Sequence, residues 1–114
     1  MRKRLSSLLV LLGLFAMPAF ALAASFHNAP VVDVQCSKKA AANPDAHTRD
    51  CALQCAASGF GILTKDQKFL KFDAAGNAKI VEALKASTKK DHLRVNVSGE
   101  VEGDTLKVTS IQLL

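Results

Sequence analysis

The sequence predicts a small α+β domain, mainly β with two short helices, and three observations carry that prediction. Residues 93–113 alternate apolar and polar side chains on either side of Gly103-Asp104, the pattern of a long hairpin. Short β-branched or aromatic runs at 31–36, 60–63 and 68–72 supply three further strands. Helical patterns fall at 44–58 and 78–87, between the first and second strands and between the third and fourth.

Before these elements stands MRKRLSSLLVLLGLFAMPAFALAA, which has the layout of an export signal. Arg2, Lys3 and Arg4 form its positive end, Leu8 to Phe15 its apolar middle, and Ala21-Leu22-Ala23 a small-x-small cleavage site. An uncleaved membrane anchor is the competing reading. The apolar run is short for a span, contains Pro18 and ends in small residues, which favours cleavage. Residues 1–23 are therefore expected to be a signal peptide and 24–114 a single domain, periplasmic or secreted, that meets the membrane only through the signal.

Residues 1–23 hold three of the fifteen Lys and Arg and none of the ten Asp and Glu, so cleavage lowers the formal charge from +5 to +2. The basicity belongs largely to the signal. With no Trp or Tyr and only four Phe after residue 23, the chain lacks the stacking platforms of a nucleic-acid binder.

In chain order, Ala24 to Ala29 reads as a loose lead-in ended by Pro30, and Val31 to Cys36 as a strand that delivers Cys36 at its end. Lys38 to Asn43 reads as a solvated connection. Asn43-Pro44 suits a helix start, with Asp45 near the positive end of the dipole, and Gly59 suits its exit. A start at Thr48 would leave His47 in the loop. Phe60–Leu63 and Lys68–Phe72 flank a turn at 65–67; Phe69 and Phe72 are spaced oddly, so one must leave the common face. Asp73 to Asn77 is a turn cluster, and Ile80, Val81, Ala83 and Leu84 mark a short amphipathic helix. Gly99 suits a bulge in the first hairpin strand, and the apolar phase shifts between Val108 and Ile111 in the second.

Five strands with a helix between the third and fourth is the order of a small OB-like barrel, here with an extra helix between strands 1 and 2. An open five-stranded sheet is the alternative.

All three cysteines lie between residues 36 and 55, and His47, Cys51 and Cys55 recur at every fourth position. On a continuous helix such residues share one face. Cys and His together suit zinc or copper(I), which makes Cys36, His47, Cys51 and Cys55 the candidate ligands. His47 and Cys55 stand about 12 Å apart along an unbroken helix, too far for one ion. A single ion would take Cys36 with Cys51 and Cys55, or Cys36 with His47 and Cys51; all four would require the first turn to unwind.

Two other chemistries compete. In an oxidising compartment Cys36 could form a disulfide with Cys51 or Cys55, whereas Cys51 and Cys55 are poorly oriented to pair with each other inside a helix. His47 could instead hold Cys51 as a thiolate for redox work, although the chain has no C-x-x-C motif. His27 and His92 stand apart from this segment.

The strand ending in Cys36, the His47-x3-Cys51-Ala52-x2-Cys55 segment, Gly59-x-Gly61-Ile62-Leu63 and the closing LRVNVSGEVEGDTLKVTSIQL together resemble a group of small exported bacterial proteins with an OB-like barrel. The resemblance spans nearly the whole chain after residue 23 and implies the fold; it brings no activity with it. The expectation for function is a non-enzymatic periplasmic binding module for zinc or copper(I). Its alternative is a disulfide-stapled interaction domain whose partner is another exported protein.

Overall fold

Five strands close into a barrel in the order β1-β2-β3-β5-β4 in a computed structural model that describes residues 21–114. The strands are β1 (Leu22–Asp33), β2 (Phe60–Leu63), β3 (Phe69–Phe72), β4 (Arg94–Glu102) and β5 (Thr105–Leu113). All their pairings are antiparallel except β3 with β5. Three helices accompany them: α1 (Ser37–Ala40), α2 (Arg49–Gln54) and α3 (Ala74–Ala86). The expected small OB-like α+β barrel is the fold. Most of the expected signal peptide lies outside the described residues. Among the described residues no helix is long and apolar enough to cross a membrane.

The first strand is longer than expected at its start and shorter at its end. Residues 22–30 pair with β4, and residues 31–33 cross over to β2. The stretch read as a loose lead-in is thus barrel strand, with a bulge between Phe26 and Ala29 where Asn28 takes φ +56° and its N–H donates to Asn96 Oδ1 at 2.9 Å. Val31 and Val32 are both buried, one facing the main core and the other a small cluster with Ala40 and Leu63. That second cluster is why residues 37–40 form a helix rather than a solvated connection. Phe69 packs there too, while Phe72 enters the main core, which resolves their odd spacing.

The single helix expected over 44–58 is broken. A 3-10 turn covers Pro44–Ala46, His47 is extended (φ −73°, ψ 123°), and α2 begins only after Thr48, whose Oγ1 accepts from Cys51 N–H at 3.1 Å. The side-chain cap on α2 makes Thr48 the stronger start signal, since Asn43 makes no such bond. A second 3-10 turn, Ala56–Ser58, leads into Gly59 at φ +88°.

Later elements follow the pattern with shifted limits. Helix α3 starts at Ala74 rather than 78, because Asp73 Oδ1 accepts from Gly76 N–H (3.0 Å) and also from Val108 N–H in β5 (3.1 Å). Its Ile80 and Leu84 are fully buried in the main core. In the hairpin, Ser98 pairs with Ser110 and Gly99 with Val108, so Thr109 is the extra residue that shifts the apolar phase of β5. A Cβ on Gly99 would lie 2.1 Å from the Lys107 carbonyl oxygen, so the bulge requires glycine.

The break at His47 is pinned from outside. Arg94 in β4 grips Asp45 with two parallel bonds (3.0 and 3.1 Å), His92 N–H donates to the Asp45 carbonyl, and Arg49 N–H donates to the Lys90 carbonyl. The Arg94 guanidinium holds the Asp45 carboxyl below its ordinary range. A carboxylate depressed in the folded state contributes stability above its unfolded pKa and loses it as pH falls through the folded value. With a chelator present, Asp45→Asn is expected to cost about 0.5–1 kcal/mol at neutral pH. The difference from the parent should vanish as urea melts are carried below about pH 4; a constant difference down to acid pH would contradict the assignment.

Candidate functional site

The end of β1 delivers Asp33 rather than Cys36. Asp33 is fully buried and lies two residues beyond Val31, on the same side of the strand. The chain then turns through Val34 and Gln35. Cys36 precedes α1, with its N–H donating to Asp33 Oδ2 at 2.9 Å, a local side-chain-to-backbone bond that fixes the turn. His47, held in its extended conformation by the anchors on either side, brings its ring to the same carboxylate. Asp33 Oδ1 accepts from His47 Nε2–H at 2.7 Å, and because a carboxylate only accepts, that bond sets the ring tautomer.

A carboxylate oxygen of Asp33, the thiol of Cys36 and a ring nitrogen of His47 therefore lie within 4.8 Å of one another. Around a tetrahedral zinc with bonds of about 2.0–2.3 Å, ligand atoms sit roughly 3.5 Å apart, so seating an ion means displacing the proton between His47 and Asp33 and opening their 2.7 Å contact. Electrostatics point the same way. Among the described residues, no Lys or Arg pairs with the buried Asp33 carboxylate, which meets the His47 ring instead. Burial, then the Asp33 charge and the neighbouring Cys55 thiol, push the Cys36 thiol up from its ordinary value. A divalent cation would reverse both penalties by neutralising carboxylate and thiolate together.

The four residues singled out by sequence divide. Cys36 and His47 meet. Cys55, half-buried where α2 ends, sets its thiol beside that of Cys36 but falls outside the three-residue cluster. Cys51 is exposed on α2 and also lies outside it. The shared helical face does not exist, because the helix begins after His47. All three cysteines are free, so neither expected disulfide is present. Asp33 is the residue that sequence reasoning missed. Its one signal was a carboxylate inside a β-branched run, three residues before a cysteine.

His92 is an exposed strand-end residue beside Asp91, and His27 is exposed on β1. Two clefts of about 510 and 520 Å³ share Phe26, His27, Thr64 and Lys65, and none of Asp33, Cys36 or His47 lines them. No family model, curated protein or solved structure matches this chain. The functional reading rests on the residues of the site.

Proposed function

We propose that this chain is an exported, non-enzymatic binding module whose OB-like barrel carries a zinc site built from Asp33, Cys36 and His47. The observation that carries this reading is the convergence of the three donor atoms within 4.8 Å, around a buried carboxylate with no Lys or Arg partner among the described residues. One oxygen, one sulfur and one nitrogen ligand suit zinc; copper(I) prefers an all-soft set, and the carboxylate disfavours it. A fourth position is left for water or for a ligand from a partner protein. Delivery or buffering of the ion outside the cytoplasm follows from such a site, in keeping with the signal-like opening.

The test is a competition titration against a chromophoric zinc chelator on the reduced chain lacking residues 1–23, with total metal measured in parallel. One zinc per chain is expected. His47→Gln keeps a donor for Asp33 but lacks a good metal nitrogen, so it should lower affinity more than about 100-fold, beyond the usual effect of losing an outer-shell partner. Equal affinity in parent and variant, or no zinc retained by the parent, would refute the site.

A further inference from the structure

The neighbouring thiol at Cys55 gives this site a second state. The segment that follows β1 runs alongside the end of α2. Val34 N–H donates to the Gly59 carbonyl (2.8 Å), Gln35 N–H to Ser58 Oγ (3.1 Å), and Ser58 Oγ–H to the Cys55 carbonyl (2.8 Å). Ser58 thus links the residue just before Cys36 to Cys55 itself. That linkage sets the two cysteines side by side; both are half-buried, and both are free. Cys51, by contrast, is exposed one turn earlier on α2.

Building on the metal-binding reading, we propose that the site is a redox-controlled zinc switch, in which a small-molecule disulfide oxidant joins Cys36 to Cys55 and thereby expels the ion. The zinc-loaded chain presents Cys36 as a bound thiolate and Cys55 as a thiol. Cys55 attacks the oxidant's disulfide and releases one thiol, giving a mixed disulfide. The Cys36 sulfur then attacks the Cys55 sulfur and displaces the second thiol. Two electrons pass from the protein sulfurs to the oxidant, which leaves as two thiols. One of their protons comes from Cys55 and the other from solvent, the latter matching the charge that zinc had neutralised on Cys36. With its sulfur engaged, Cys36 no longer ligates, and the remaining pair, Asp33 and His47, falls below the three protein ligands that a zinc site ordinarily keeps. Zinc and the disulfide are mutually exclusive, so the ion and the oxidant compete for Cys36.

The experiment titrates the zinc-loaded chain with oxidised glutathione, follows released zinc with a chromophoric chelator, and maps cysteine pairing by mass spectrometry after alkylation. Zinc release should keep step with the loss of two thiols and the appearance of a peptide linking Cys36 to Cys55, with Cys51 still open to alkylation. Dithiothreitol should restore binding. Cys51→Ser should behave as the parent, whereas Cys55→Ser should bind zinc and release it to oxidised glutathione at least about 10-fold more slowly, having no resolving thiol. Zinc retained after two thiols are consumed, a linkage through Cys51, or parental release from Cys55→Ser would each overturn the switch. A reduced chain that binds no zinc would defeat the metal site itself, and pairing in the metal-free chain would still report whether Cys36 and Cys55 join.

Discussion

Replacing Asp33 with Asn should cut zinc affinity more than about 100-fold while leaving the metal-free barrel folded. The side chain has two separable tasks. As a structural acceptor it takes the Cys36 N–H on one oxygen and His47 on the other. Asparagine can do nearly the same, with its carbonyl accepting from Cys36 and its amide donating to the opposite tautomer of His47. As the anion that completes an ion's donor set it has no substitute. Asp33→Ala should lose both roles, with the metal-free chain destabilised by about 2–4 kcal/mol because buried donors are left without an acceptor. The pair of variants separates site from scaffold: chelator competition reads the affinity and denaturant melts of the metal-free chain read the stability. If Asp33→Asn bound zinc like the parent, the carboxylate would be a structural acceptor alone.

The barrel was legible in the sequence because its signals are local. The alternation from Leu93 to Val101, the turn at Gly103 and the shifted phase before Ile111 each map onto an observed feature of β4 and β5. The lead-in was misjudged because Ala24 to Ala29 has no strand pattern of its own; its conformation is imposed by pairing with β4, a contact some seventy residues away in sequence. The site was legible in its chemistry and not in its geometry. Cysteine and histidine types marked the segment, yet the four-residue spacing suggested a helical stripe that the Thr48 cap interrupts. What places His47 is the grip of Arg94 on Asp45, a bond between residues 49 positions apart. Asp33 was hidden for the same reason: only the fold shows that this carboxylate is buried.

Gly61→Ala is expected to damage stability and zinc binding together although it alters no ligand. Strand β2 is four residues long and wholly buried, and Gly61 stands between Val32 of β1 and Lys71 of β3. A Cβ there would lie 2.2 Å from the Leu70 carbonyl oxygen and 2.9 Å from its carbon, with Phe69 Cζ at 2.7 Å. Phe69 could swing aside, but the two backbone atoms belong to the neighbouring strand and cannot yield without opening the β2–β3 ladder. Overpacking of this kind costs about 1–3 kcal/mol, and a backbone collision belongs at or above the upper end. The same register sets Phe60 opposite Asp33, so moving β2 displaces the carboxylate on which the site is built. A thermal melt lowered by several degrees together with a zinc affinity reduced about tenfold or more would show that barrel closure positions the site. Unchanged affinity in a destabilised Gly61→Ala chain would show instead that the turn from Asp33 to Cys36 holds its own geometry without β2.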